Sequence, residues 1–190
     1  MKEKYTVISS PLERLKAGNK TYINSVKGVG DISPEIRQHT WKNGQKPYAV
    51  IVSCSDSRVI PESIFSAGIG DLFVIRVAGN VVDDFQLGSI EYAVEHLGCK
   101  LVVVLGHTGC GAVSAALGEN CGYVKHITDE IKRAVGCERD TVKASILNIK
   151  QSVSKIKESL PSTDGLYVCG ALYHTDSGTV DFFDCNEKVI

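Results

Sequence analysis

Two short segments carry residue types that can do chemistry together. Cys54-Ser55-Asp56-Ser57-Arg58 offers a thiol, a carboxylate and a guanidinium at alternate positions. Gly106-His107-Thr108-Gly109-Cys110-Gly111 offers an imidazole and a second thiol three residues apart across a glycine-rich turn. Two thiolates and one imidazole form a three-ligand set for zinc, and a tetrahedral ion so held keeps one position for water or substrate, as catalytic sites do. Soft sulfur ligands favour zinc over magnesium or calcium. Taken singly, each piece also has an ordinary structural explanation: a packed cysteine, a loop histidine, an ion pair between Asp56 and Arg58. Their joint occurrence at two equivalent places in the chain sets them apart.

Those places are defined by the elements around them. Residues 48–53 and 101–105 are aliphatic runs of strand length, and each segment begins where its run ends. Ligands of open α/β sheets bind at the carboxyl ends of strands, so Cys54 and His107 can converge although far apart in sequence. Cys110 stands before a short helix over 112–117, whose N-terminal partial charge favours thiolate. Three rival motifs fail on spacing. A cysteine phosphatase loop needs five residues between cysteine and arginine, whereas Cys54 and Arg58 have three between them and Asp56 would repel phosphate. The glycines at 106, 109 and 111 give G-x-x-G-x-G, not the dinucleotide fingerprint G-x-G-x-x-G. The paired C-x-x-C of a zinc ribbon is missing.

The rest of the chain reads as alternating strands and helices. Ser10, Pro11 and Glu13 announce a first helix with a capping box, with Leu12, Leu15 and Tyr22 inward and Gly18 a weak spot. A second helix starts near Glu35. Residues 72–77 read as another strand buried on both faces. Asp83 or Asp84 caps a helix through Leu97, with Ile90, Ala93, Val94 and Leu97 as its apolar stripe and Gly98 as its stop. Two helices follow over 128–159, broken near Gly136. A strand over 166–172 turns at Asp176-Ser177-Gly178 into 180–183 as an antiparallel edge hairpin. The fold expected is α/β, one domain over 1–190: an N-terminal helical arm (1–45) and a core (46–190) with a central, mostly parallel sheet flanked by helices.

Composition bounds the partners. The chain has 190 residues, 43% hydrophobic, with 21 basic and 22 acidic side chains, enough for a real core and too balanced for a nucleic-acid or membrane-surface binder. The longest apolar runs are strand-length, short of a membrane span. No secretory or lipidation signal follows Lys2 and Lys4, so the cytoplasm is the expected location. Seven cysteines cannot pair completely and are too sparse for a disulfide scaffold.

The two motifs resemble those of the β-class carbonic anhydrases, zinc lyases that interconvert carbon dioxide and bicarbonate. The resemblance rests on C-x-D-x-R at Cys54–Arg58 and H-x-x-C at His107–Cys110. It extends through Gly70-Asp71-Leu72-Phe73-Val74-Ile75-Arg76, Ala78-Gly79-Asn80, Gly88-Ser89-Ile90-Glu91-Tyr92-Ala93-Val94 and Val168-Cys169-Gly170-Ala171-Leu172-Tyr173, with weaker similarity in the first helix. It implies one Zn2+ per chain held by Cys54, His107 and Cys110, and attack of zinc-bound hydroxide on carbon dioxide. Asp56 would accept a hydrogen bond from the zinc-bound oxygen, and Arg58 would hold Asp56 ionised and in place. In a closed state Asp56 would itself become the fourth ligand. Tyr92 and His96, four apart on one helical face, match a pair proposed for proton transfer. Two thiolates cancel the charge of zinc, so hydration is expected to rise with pH, with an apparent pKa on the alkaline side of neutrality.

The resemblance further implies a homodimer or a multiple of dimers, with an N-terminal helix wrapping the neighbour. Members regulated by bicarbonate carry a tryptophan where this chain has Ile51, although Arg76 matches their arginine; no such bicarbonate site is expected. Gly68 stands where plant-type members have a substrate-contacting glutamine. Two alternatives share the same motifs: a catalytically silent zinc or redox-sensing protein, and a hydrolase of carbon disulfide or carbonyl sulfide. Of the remaining cysteines, Cys99 and Cys169 are expected to pack as small hydrophobes, and Cys121, Cys137 and Cys185 to lie nearer the surface.

Overall fold

The aliphatic runs pair into one five-stranded sheet in a computed structural model of the chain, which describes residues 10–25, 30–118, 124–160 and 164–184. The strands are β1 (Ala49–Ser53), β2 (Leu72–Arg76), β3 (Leu101–His107), β4 (Tyr167–Tyr173) and β5 (Val180–Phe183). Their order is β2-β1-β3-β4-β5. The first four are parallel, and β5 closes the edge antiparallel to β4, as the hairpin residues require. The chain leaves β1 for β2 on one side and returns to β3 on the other. That reversal opens a crevice at the carboxyl ends of β1 and β3, where Cys54 and His107 stand.

Side-chain alternation sends the strand residues into two cores. Val50, Val52, Val102 and Val104 meet α4 (Asp84–Glu95) and α7 (Thr141–Ser159) through Ile90, Val94, Ile149, Val153 and Ile156. Ala49, Ile51, Val103 and Leu105 meet α1 (Pro11–Asn24) and the one-turn α3 (Pro61–Ile64) through Leu15, Ile64 and Phe65. A third cluster joins α5 (Gly111–Leu117) and α6 (Lys125–Val135) over the carboxyl end of the sheet and includes Cys54 and Cys110. β1 and β3 are buried throughout, but β2 is only half-buried, contrary to the expectation from its apolar run. It is the sheet edge, with a neighbour on one side alone.

Local signals explain the helix ends. Ser10 Oγ accepts from the Glu13 amide at 3.3 Å, but the Glu13 carboxylate pairs with Lys16 at 2.9 Å instead of completing a reciprocal box. Asp83 and Gln86 do form such a box at the start of α4, which ends at His96 ahead of Gly98 (φ 72°). Gly18 is a close approach, not a weak spot: a Cβ there would collide with the Phe65 carbonyl, and Ser66 Oγ donates to the Gly18 carbonyl at 3.0 Å. Asn19 locks the same helix down, donating to the carbonyls of Ile64 (3.2 Å) and Gly178 (2.9 Å) and accepting from the Val180 amide (3.1 Å). α1 is therefore fastened to α3 and the β4–β5 turn of its own chain. α2 (Pro34–Asn43) buries none of its residues, and Trp41 on it is 80% exposed. Among the described residues no helix is long and apolar enough to cross a membrane.

Candidate metal centre

β1 ends at Ser53 and delivers Cys54 into the crevice; β3 runs two residues further than expected and carries His107 on its last position. Gly109, at φ 67°, turns the chain back so that Cys110 becomes the N-cap of α5. One donor atom from each of Cys54, His107 and Cys110 lies within 4.8 Å of the others. All three side chains are buried, with exposures of 5%, 0% and 2%.

The donor set fits a zinc ion on its own chemistry. His107 Nδ1 lies 3.0 Å from the Thr108 carbonyl, which makes Nδ1 the protonated nitrogen and leaves Nε2 as a lone-pair donor. That Nε2 is buried and has no hydrogen-bond partner. An orphaned buried acceptor facing two thiols is costly unless something electropositive joins them. Cys54 Sγ already accepts from the amides of Gly79 (3.3 Å) and Asp56 (3.4 Å). Its pKa is drawn down to about 4, chiefly by the Cys110 thiol hydrogen-bonded to it, against the cost of burial, with the two amides adding to the effect. The same bond, together with burial, pushes Cys110 up, although the Val113 and Ala112 amides act in the opposite direction. One hydrogen bond thus moves the two thiols in opposite directions, and a metal that took both sulfurs would displace the thiol proton.

Asp56 and Arg58 flank this cluster. Arg58 donates from its amide and Nε to Asp56 Oδ1, both at 3.0 Å, and from Nη2 to Oδ2 at 2.8 Å. These bonds hold the Asp56 carboxyl well below the usual carboxylate range despite partial burial. Nη2 also reaches the Gly109 carbonyl at 3.1 Å, tying the two motif loops together. Asp56 Oδ2 sits 3.9 Å from His107 Nε2, beside the cluster and turned to Arg58, not fourth among its members.

Arg76 takes a part not expected of it. Its Nε donates to the Cys54 carbonyl (3.2 Å) and its Nη2 to the Asp56 carbonyl (2.8 Å), so it clamps the first motif from the neighbouring strand. Thr108 and Thr175 join the second motif to the β4–β5 turn, with their hydroxyls 3.1 Å apart and the Thr175 amide 3.0 Å from Thr108 Oγ1. The partners of Arg76 are backbone carbonyls, which residue types do not display. The signal for Arg76 was its register: it pairs with Ser53, one residue before Cys54.

The structure does not bring Tyr92 and His96 to the cluster of their own chain. Their rings meet at a tilt with centroids 5.3 Å apart, but Tyr92 rests on Phe73 (6.2 Å), near the amino end of β2. α4 runs from the carboxyl to the amino end of the sheet, and Cys99 just beyond it bonds the Pro47 carbonyl ahead of β1. Cys99 and Cys169 are buried and Cys137 is exposed, as expected; Cys121 and Cys185 lie outside the described residues.

Comparison with known proteins agrees with this geometry. Residues 49–180 match the family model described as "Carbonic anhydrase". A carbonic anhydrase of Mycolicibacterium smegmatis is 38% identical over 164 residues, covering 76% of this chain and 79% of the relative. Carbonic anhydrase 2 of Mycobacterium tuberculosis is 52% identical over 98 residues, 48% of this chain; there the match spans about half of the relative's length, 47%. Among solved structures, the β-carbonic anhydrase CafA of Aspergillus fumigatus aligns with a TM-score of 0.72 at 32% identity, over 82% of this chain and 83% of that one. The tetrameric β-carbonic anhydrases of Sordaria macrospora align at 0.69 and 26% identity, over 87% and 90%.

Proposed function

This chain belongs to the β-class carbonic anhydrase family, and on that premise we propose that it catalyses the reversible hydration of carbon dioxide to bicarbonate and a proton, at a zinc ion held by Cys54, His107 and Cys110. The observation that carries the reading is the buried Cys-His-Cys cluster, with an unpartnered His107 Nε2 and the Asp56 carboxylate 3.9 Å away. Zinc bound there supplies Lewis acidity that brings the pKa of a water toward neutrality.

The protein's own residues do the rest. The amides of Gly79 and Asp56 hold Cys54 Sγ as thiolate, and the Thr108 carbonyl fixes the His107 ring. Asp56 Oδ1 accepts from two Arg58 donors and Oδ2 from one, so Oδ2, on the cluster side, keeps a lone pair to accept a further hydrogen bond and orient a reacting oxygen. Arg58 keeps that carboxylate ionised, so the proton goes to solvent buffer and is not retained on Asp56. The apolar residues packed around Cys54 and Cys110, such as Val81 and Val113, exclude bulk water from the thiolates. Tyr92 and His96 lie toward the C-terminal end of α4, with Tyr92 against Phe73 and not against this cluster, so as a proton relay they would serve the site of a second copy.

A homodimer or multiple of dimers fits the exposed faces of α2 and α4, where Trp41 and Phe85 are 80% and 85% exposed; the Sordaria relatives are described as tetrameric. Thiols that must stay reduced to bind metal fit the cytoplasm. The test is zinc stoichiometry with stopped-flow carbon dioxide hydration across pH, on wild type and Cys54→Ser. One zinc per chain and activity rising through mildly alkaline pH are expected, with both lost in the variant. Stoichiometric zinc without activity at any pH would instead identify a silent zinc protein.

A further inference from the structure

A polar stripe on α7 reaches the metal centre from behind. Asn148, Ser152 and Lys155 recur at helical spacing and donate to the carbonyls of Gly79 (2.7 Å), Asn80 (3.2 Å) and Val82 (3.3 Å) in turn. Asn148 and Ser152 are 2% and 3% exposed, on a buried helix face that also carries Ala144, Ser145, Ile149, Val153 and Ile156. A buried amide on such a face has a strong reason to be there, because Leu would pack at least as well.

The segment they grip is contorted. Gly79 has φ 70°, and a Cβ on it would lie 2.8 Å from Ile131 Cδ1 and 3.1 Å from Ala112 Cβ. Asn80 follows at φ 45°, a left-handed conformation that persists in a non-glycine residue only where the surroundings impose it. The result of the contortion is the Gly79 amide, which points at Cys54 Sγ from 3.3 Å. Gly79 is held from both ends: its N–H on the sulfur, its carbonyl on Asn148 Nδ2.

We propose that Asn148 is a positioning residue for the metal centre, acting through Gly79 to keep an N–H···S hydrogen bond on Cys54. This rests on the reading of Cys54 as a metal ligand. An amide bonded to a ligand thiolate takes up part of its charge, so the sulfur donates less to the metal and the centre stays more electron-poor. Losing the Asn148 donor leaves the Gly79 carbonyl buried and unsatisfied, so the turn rotates to find a partner and withdraws its amide from sulfur.

The experiment compares cobalt(II)-substituted wild type, Asn148→Leu and Ser145→Ala. Ser145 is a buried serine of the same helix whose hydroxyl donates to the Thr141 carbonyl one turn back, and its variant controls for loss of helix packing. The readouts are the near-ultraviolet thiolate-to-cobalt charge-transfer band, the metal affinity, and the apparent pKa of hydration by the zinc forms. Asn148→Leu is expected to shift the band to longer wavelength, to weaken metal binding at neutral pH roughly 10- to 100-fold because a thiolate without its amide holds a competing proton more tightly and is less well placed, and to raise the apparent pKa, while Ser145→Ala changes none of these. A variant that melts earlier but keeps the wild-type band, affinity and pH profile would overturn the proposal. Wild type that takes up cobalt without a thiolate band would overturn the metal-centre reading itself, and the proposal with it. Should Asn148→Leu fail to fold, cadmium-113 wild type labelled with nitrogen-15 glycine supplies the answer. Scalar coupling between the Gly79 amide proton and cadmium supports the hydrogen bond, and its absence overturns it.

Discussion

Replacing Gly106 with Ala tests whether packing of α7 on β3 sets the position of His107. A Cβ on Gly106 would lie 2.6 Å from Ile149 Cδ1 and 2.7 Å from its Cγ1. Carbon atoms in contact prefer about 3.5–4.0 Å, so the overlap is roughly 1 Å. Gly106 is not at positive φ, and the cost is therefore one of packing, not of backbone strain. Ile149 is fully buried among Val104, Val153 and Ile156 and is β-branched, so it has little freedom to turn away. Overpacking of this kind costs about 1–3 kcal/mol, or roughly 2–12 °C in Tm for a chain of this size. The adjoining residue is His107, and a shift of its Nε2 by about 1 Å would lower turnover on the order of 100-fold. Ile149→Ala removes both offending atoms and alone costs about 2–5 kcal/mol. Combined with Gly106→Ala it should cost less than the sum by at least about 1 kcal/mol, with much of the turnover restored. The assay is chemical denaturation of the zinc-loaded proteins at one concentration, alongside stopped-flow hydration. Additivity within about 0.5 kcal/mol, or a Gly106→Ala enzyme of wild-type activity, would refute the packing argument.

Glu130 is held by Lys155 and Arg133, whose combined pull outweighs the burial that would raise it and leaves its carboxyl below the usual range. Its contribution is fully present above an unfolded pKa of about 4.3 and is lost as pH falls through the lower folded value. Glu130→Gln should therefore destabilise by about 1 kcal/mol at pH 7 and by progressively less below pH of about 4, measured as denaturation midpoints; parallel acid limbs in the two proteins would count against the pairing. Stripping zinc with a chelator leaves His107 Nε2 unpartnered and the Cys54 and Cys110 thiols hydrogen-bonded to each other. Melting should fall by roughly 8–16 °C relative to protein at a thousandfold excess of zinc over Kd, and returning zinc at neutral pH should release protons to a pH indicator. His96→Ala should lower turnover in dilute buffer and be rescued by imidazole; turnover unaffected by buffer would remove the Tyr92–His96 pair from the reaction.

Cys54 and His107 were legible because each follows an aliphatic run, and a strand end in an α/β sheet is a place as much as a residue type; Cys110 was legible through its spacing of three from His107 across a glycine-rich turn. The same run misled for β2, since alternation of Leu72 to Arg76 reports apolar character and not how many neighbours a strand has. The N-terminal helix was legible as an element through Ser10 and Pro11, but its seat was not. Asn19, which fastens it to α3 and the β4–β5 turn, looks in sequence like any polar residue of a solvated face. Asn148 and Ser152 left one trace: they interrupt a helical face that should have been apolar, among Ala144, Ile149 and Val153.

That contrast follows from what supplies a ligand and what aims it. Cys54, His107 and Cys110 contribute donor atoms through side chains, and side chains are what a sequence spells. Their orientation comes from backbone groups: the amides of Gly79 and Asp56 on Cys54, the Thr108 carbonyl on His107, the carbonyls of Cys54 and Asp56 on Arg76. A backbone group has the same chemistry in every residue, so only the φ it needs or the space it denies a Cβ marks it. Gly79 has both marks, a φ of 70° and an Ile131 methyl 2.8 Å from where its Cβ would stand. Gly109, by contrast, has open room, with its nearest neighbour Arg58 Nη1 at 4.0 Å, and is constrained by its φ alone. Substitution to Ala should therefore be markedly worse at Gly79, where strain, collision and loss of the amide on Cys54 coincide, than at Gly109, where strain acts alone.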